Sequence, residues 1–219
     1  MKAVVFDLDG TLLNTLEDLA DATNWALRKN GMSERALEEV RYFVGNGVRK
    51  LIERAVPDGE QNPLFEQTFE DFKRYYVVHC QDKTCLYDGV PEMLRALKAR
   101  GFRLAIVSNK LQAGVDELYE RYFRDTVEVA IGERPEVRRK PAPDMVELAL
   151  RELGVTKEEA VYVGDSDVDL ATARNSGLPC ISVLWGFRDR HFLEAHGASC
   201  FAATPAEIVH LFIRSFVHL

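Results

Sequence analysis

Apolar and polar positions follow two different rhythms along this chain, and the change between them divides it. Ala3-Val4-Val5-Phe6 is a short unbroken apolar run that passes directly into Asp7-Leu8-Asp9-Gly10-Thr11. Such a run predicts a strand covered on both faces, and in open parallel sheets chemistry gathers beyond the carboxyl ends of strands. Because neighbours in an extended segment point to opposite sides, Asp7 and Asp9 can present both carboxyl groups on one side, with Gly10 permitting a turn.

After Thr11 the period becomes helical. Leu16, Leu19, Thr23 and Leu27 recur at helix spacing behind a Thr15/Asp18 capping pair, and Gly31 stops that helix. A second helix is expected from Ser33, with Leu37, Val40 and Val44 on one face, breaking at Gly45-Asn46-Gly47. A third covers 48–55, and a fourth opens at Pro63 with Phe65, Phe69, Phe72 and Tyr76 as a stripe typical of packing. Nothing between 14 and 84 reads as a strand.

From Tyr87-Asp88-Gly89-Val90-Pro91 onward strands and helices alternate. The predicted strands are 103–107, 127–131, 160–163 and 180–184, separated by helices ending near Arg100, Tyr122, Leu153 and Ser176. Thr204-Pro205-Ala206-Glu207 then signals a last helix, with Thr204 as N-cap and Glu207 closing a capping box. Alternation of this kind implies right-handed crossovers and a parallel sheet. The expected fold class is therefore α/β, a Rossmann-like parallel core from residues 1–13 and 85–219 interrupted by a helical insert, residues 14–84.

Composition narrows the partners. A net charge of −7 and a pI near 5.3 argue against nucleic acid or an anionic membrane, either of which needs an extended basic face. No apolar stretch is long enough to span a bilayer, and a charged Asp interrupts the N-terminal run, so a cytoplasmic location is expected. Cys80, Cys85, Cys180 and Cys200 lack metal-site or framework spacing and are expected to be reduced and mostly buried.

The predicted strands end in polar residues: Phe6 in Asp7, Val107 in Ser108-Asn109-Lys110, and Val163-Gly164 in Asp165-Ser166-Asp167-Val168-Asp169. Arg138-Arg139-Lys140-Pro141 precedes the next crossover helix and can reach the same edge. Each has an ordinary structural explanation, Ser108 as a helix cap, Lys140 as a solvated charge, 165–169 as acids at a helix start. Together they describe an oxygen-ligand site suited to Mg²⁺ and a substrate phosphate. A calcium loop does not fit, since Leu170 and Ser176 stand where such a loop needs glycine and glutamate. Phosphoryl transfer needs a nucleophile, charge neutralisation and a proton donor, which Asp7, Mg²⁺ with Lys140, and Asp9 could supply.

These motifs, in this order, resemble the haloacid dehalogenase (HAD) superfamily, specifically its small-molecule phosphatases with a helical cap inserted after the first motif. The resemblance implies that Asp7 is a nucleophile forming an aspartyl phosphate and Asp9 a general acid and base, with Ser108 and Lys140 holding phosphoryl oxygens. It implies metal contacts from Asp7, the Asp9 carbonyl and Asp165, with Asp169 in support; Asp167 sits at a variable position. The acid at Asp9 disfavours the dehalogenase and phosphonate-hydrolase branches. Within the phosphatases the chain looks most like those acting on phosphoglycolate, through Gly45-Asn46-Gly47, Ile52-Glu53-Arg54-Ala55 and Arg139-Lys140-Pro141-Ala142-Pro143.

Candidate substrate contacts are Gly10 and Asn109 in the core and Asn46 and Arg49 in the insert; 45–47 also reads as a plain helix-helix turn with solvated basic residues beside it. Sugar phosphatases, pyrophosphatases and β-phosphoglucomutases share the core motifs. A phosphoacceptor signalling receiver and a pure binding role are the remaining alternatives, disfavoured by the insert and by the intact acid, nucleophile and lysine. The expected partner is a small phosphorylated metabolite, acted on by a monomer or homodimer.

Overall fold

The computed structural model describes residues 1–216. Its chain forms two compact units, one from Met1–Leu12 with Leu86–Leu219 and one from Leu13–Cys85.

The first unit is built on a parallel sheet. Its strands are β1 (Ala3–Phe6), β4 (Arg103–Leu111), β5 (Val129–Glu133), β6 (Ala160–Gly164), β7 (Cys180–Val183) and β8 (Phe201–Ala202), in the spatial order β5-β4-β1-β6-β7-β8. β1 lies between β4 and β6 with Phe6 level with Ile106 and Val163, so Asp7, Ser108 and Gly164 emerge at one edge. Every residue of β1 is fully buried, as its unbroken apolar run requires. The helices are α5 (Val90–Ala99), α6 (Gln112–Tyr122), α7 (Asp144–Leu153), α8 (Asp167–Ser176), α9 (Arg190–Ala195) and α10 (Pro205–Phe216). Ala3, Val5, Ala160 and Tyr162 pack on one face of the sheet against Met145, Val146 and Ala149 of α7 and Ala173 of α8. Full burial of side chains of this size contributes roughly 1.5–3 kcal/mol each for the larger ones.

The second unit is helical, with α1 (Leu16–Lys29), α2 (Leu37–Phe43), α3 (Val48–Ala55) and α4 (Phe65–His79). Two-residue strands β2 (Leu13–Asn14) and β3 (Cys85–Leu86) pair where the chain enters and leaves it. Phe65, Phe72 and Tyr76 of the predicted stripe are buried, and Trp25 stacks on Tyr75 at 4.8 Å.

Several local expectations are corrected. α2 begins at Leu37, four residues beyond Ser33, because Glu39 accepts from the Ala36 backbone N–H and fixes the helix start there. Thr15 and Asp18 form no cap. Asp18 is buried and instead accepts from the backbone N–H groups of Lys83 and Thr84 and from the Thr84 hydroxyl (2.7 Å), tying the two ends of the helical unit together. The last capping box is shifted: Thr204 Oγ1 accepts from Glu207 N, but Glu207 accepts from Ala203 N. Strand β4 continues through Ser108, Asn109 and Lys110 to Leu111, with an irregularity in its pairing to β5 after Val107. β8 and α9 lie in a stretch with no strand or helix expected. All four cysteines are free, but only Cys80 is buried; Cys180 and Cys200 are half-buried and Cys85 is exposed.

Candidate active site

The strand ends meet around one buried lysine. The Lys140 ammonium donates to Asp7 Oδ1 (2.6 Å), to Asp169 Oδ1 (2.8 Å) and to the Tyr162 hydroxyl (3.1 Å). Asn109 fixes the loop that delivers it, its side chain accepting from Lys140 N (2.8 Å) and donating to Lys140 O (3.1 Å). Lys140 and Asp169 are almost entirely buried and Asp7 nearly so.

One carboxylate oxygen from each of Asp7, Asp165 and Asp169 falls within a 4.8 Å cluster. Asp165 is held at the start of the β6–α8 turn: Oδ1 accepts from the Thr11 hydroxyl (3.1 Å) and Oδ2 from the backbone N–H of Phe187 (2.7 Å). Asp169 is saturated. Its Oδ2 accepts from Asp165 N, Ser166 N and Ser166 Oγ, and its Oδ1 from Lys140 and the Tyr162 hydroxyl (2.9 Å). A carboxylate has about four lone-pair sites, so Asp169 has no free position for a further ligand. It orients its neighbours, whereas Asp7 and Asp165 each keep accepting capacity.

Glycines make room for this cluster. A Cβ on Gly10, which sits at φ +95°, would come within 2.5 Å of Asp165 Oδ2. A Cβ on Gly186 would overlap Asp165 Cβ and the Gly10 carbonyl, and one on Gly164 would overlap Asp169.

The electrostatics follow from burial. Burial, reinforced by Asp169, pushes the Asp7 carboxyl well above the ordinary range despite Lys140 beside it, and carries Asp165 up to about 7. Burial acts on Asp169 in the same sense, but Lys140 and the hydrogen bonds to Oδ1 and Oδ2 outweigh it and hold that carboxyl below its usual value. Burial alone would depress Lys140, yet Asp169 and Asp7 raise it, so it stays an ammonium. Three clustered carboxylates against one ammonium leave two negative charges uncompensated when all are ionised. A hard divalent cation held by Asp7 and Asp165 would balance them, and the donor set suits one.

Asp9 faces elsewhere. Its carboxylate is not part of the cluster; it lies 3.5 Å from the Ser108 hydroxyl and 3.7 Å from Lys110 Nζ, and its buried Oδ1 accepts no hydrogen bond. Ser108 Oγ also accepts from Lys110 N (3.1 Å), and the cap of α6 falls to Leu111. Beside the Lys140 loop is a cavity of about 700 Å³, lined by Leu111, Arg134, Val137, Arg138 and Arg139 among others.

In the helical unit, Asn46 accepts from Arg54 Nη2 (2.8 Å), while Arg54 Nη1 donates to the Phe43 carbonyl (2.7 Å). Arg49 is paired with Glu66 (2.5 Å) and Glu60 (2.9 Å), its guanidinium over the rings of Phe65 and Phe69. Lys50 pairs with Glu53.

Sequence reasoning did not single out Thr11, Tyr162, Gly186 or Phe187. A signal existed for the last two: Trp185-Gly186-Phe187 follows β7, whose end lies on the same sheet edge, and Trp185 Nε1 donates to the Thr11 carbonyl (2.9 Å).

Comparison with known proteins agrees with this architecture. Residues 4–183 match the family model of haloacid dehalogenase-like hydrolases. A phosphoglycolate phosphatase of Aquifex aeolicus is 33% identical over 85% of this chain and 86% of its own length. One from Thiobacillus denitrificans is 36% identical over 85% of each. A crystal structure from Lactobacillus delbrueckii subsp. bulgaricus, provisionally named a phosphoglycolate phosphatase, superposes with a TM-score of 0.92 at 35% identity, covering 96% of this chain and 97% of that one. The structure of CbbY from Rhodobacter sphaeroides in complex with phosphate gives a TM-score of 0.74 at 28% identity, covering 95% and 96%.

Proposed function

Since the chain belongs to the haloacid dehalogenase-like hydrolase family, we propose that it is a Mg²⁺-dependent phosphomonoester hydrolase acting on small metabolites, phosphoglycolate foremost. The observation that carries the reading is the Lys140 ammonium between Asp7 and Asp169, with Asp165 completing a carboxylate cluster that is two negative charges short of neutrality once all three are ionised. Curated relatives named phosphoglycolate phosphatase, matched over most of both chains, support the substrate.

In this reading an Asp7 carboxylate oxygen attacks phosphorus and the ester P–O bond breaks, leaving an aspartyl phosphate. Asp9 gives its proton to the departing alkoxide, then takes one from the water that attacks phosphorus and releases phosphate, restoring Asp7. Ser108 and Lys140 hold phosphoryl oxygens, and Gly10 and Asn109 shape the bed on which they rest. Mg²⁺ on Asp7, Asp165 and the Asp9 carbonyl would neutralise the cluster and the phosphoryl charge. Ionised Asp7 is the competent nucleophile, so a group that burial tends to keep protonated depends on that neutralisation.

Asn46 and Arg49 are proposed as substrate contacts of the helical unit. Arg49 would exchange Glu60 and Glu66 for the substrate, and exposed, solvent-screened ion pairs of this kind are weak.

Phosphate release should be measured over phosphoglycolate, hexose and triose phosphates, pyrophosphate and a phosphopeptide, with Mg²⁺ and then EDTA. Phosphoglycolate should give the largest kcat/KM, and EDTA should abolish every activity. Preference for a neutral sugar phosphate would overturn the phosphoglycolate assignment, preference for the phosphopeptide the small-substrate claim, and turnover in EDTA the metal.

A further inference from the structure

Lys140 has three N–H donors, and all three are engaged: Asp7, Asp169 and Tyr162. To bind a phosphoryl oxygen the ammonium must therefore give one of them up. Two partners are carboxylates at 2.6 and 2.8 Å, whereas the third is a neutral hydroxyl at 3.1 Å, and bonds to charged acceptors are roughly twice as strong. The Tyr162 bond is the one that yields.

We propose that Tyr162 is a positioning residue, holding the third Lys140 N–H in the free enzyme and releasing it to the phosphoryl group; this rests on the phosphatase reading above. The tyrosine is built for the exchange. Its ring is locked in the core against α7 and α8, fully buried, so the hydroxyl cannot swing away. Its own proton goes to Asp169 Oδ1 (2.9 Å), the same oxygen that accepts from Lys140. When the ammonium turns to substrate, Tyr162 still holds Asp169, and through it the start of α8. The position is absent from the predicted motifs because a tyrosine two residues before the end of an apolar strand reads as core.

The geometry leads to an effect that a purely structural tyrosine would not produce. In Tyr162→Phe the free enzyme keeps a buried N–H without a partner, which a phosphoryl oxygen then satisfies, so affinity for inorganic phosphate should rise by about fivefold while the ligand-free protein melts lower. Calorimetric titration with inorganic phosphate in excess Mg²⁺ measures it, for the wild type, Tyr162→Phe, Lys140→Met and the double variant. In the Lys140→Met background the added Tyr162→Phe change should leave phosphate affinity where it was, since the two act as one unit. Unchanged or weaker phosphate binding by Tyr162→Phe, or tightening that persists without the lysine, would overturn the inference while leaving the phosphatase reading intact. A wild-type protein that binds no phosphate would overturn both.

Discussion

Withdrawing the divalent cation should make this protein progressively less stable as pH rises. Burial holds Asp165 at about 7 and Asp7 well above its usual range, while the same groups in the unfolded chain release their protons near pH 4. A carboxyl whose folded value is raised contributes stability that is complete below its unfolded value and lost as pH climbs through the folded one. For Asp165 that window runs from about pH 4 to about pH 7, roughly three units at about 1.4 kcal/mol each, so on the order of 4 kcal/mol disappears across it. Asp7 adds to the loss in the same direction. Asp169 has the opposite sign, since its lowered value yields stability lost only as pH falls, below the window in question.

Against a total of about 5–15 kcal/mol, this loss is large. Urea unfolding in EDTA from pH 5 to pH 8.5 spans the upper two units of that window and should show about 3 kcal/mol of the Asp165 loss. The same series in Mg²⁺ should be flatter, because the cation binds the deprotonated cluster and its stabilisation grows as protons leave, by about 2.7 kcal/mol at a hundredfold excess over Kd. The gap between the two curves should widen with pH. Stability in EDTA that stays level or improves between pH 5 and pH 8 would refute the buried-carboxylate argument.

Substitution at three further positions has a defined expected outcome. Asp7→Asn should lower kcat by about a thousandfold or more with the fold retained on circular dichroism, since an amide is nearly isosteric but is no nucleophile. The same variant, with one fewer buried carboxyl, should show a shallower EDTA stability curve against pH. Asp18→Ala should destabilise the helical unit by about 3 kcal/mol or more in urea unfolding, because it leaves the N–H groups of Lys83 and Thr84 and the Thr84 hydroxyl without their acceptor. Gly186→Ala should cost about 1–3 kcal/mol and weaken Mg²⁺ binding in a calorimetric titration, since its Cβ would overlap Asp165 and the Gly10 backbone, which cannot both yield.

The fold was legible where a pattern is local. The fully buried β1, the helical insert and the alternating elements that follow leave periodic traces, and these match the observed elements within a few residues. β8 did not, because two paired residues are too short to carry a period. Asp18 misled for a physical reason: next to Thr15 it satisfies a capping pattern, while its true partners lie some 65 residues away. The sequence pattern ends β4 at Val107 because Ser108-Asn109-Lys110 looks like a loop, yet a central strand can carry polar residues when each is met at the sheet edge.

The candidate site divides along the same line. Asp7 and Asp165 stand out because a charged residue at the end of an apolar run is costly, whereas Lys140 and Asp169 have ordinary explanations taken singly and join the site only through the motifs read together. What fixes their oxygens is less visible. Asp165 is aimed by the backbone N–H of Phe187, and Asp169 by those of Asp165 and Ser166. A backbone donor is present at nearly every residue, so no side-chain type marks it, and only the chain path brings it to the carboxylate. The one trace such a contact leaves is negative: where the backbone must come close, a side chain cannot exist, which is why Gly10, Gly164 and Gly186 surround the cluster. A glycine just past the end of a buried strand is therefore worth reading together with the acids on neighbouring strands, because the missing Cβ and the gathered charge arise from the same demand for close approach.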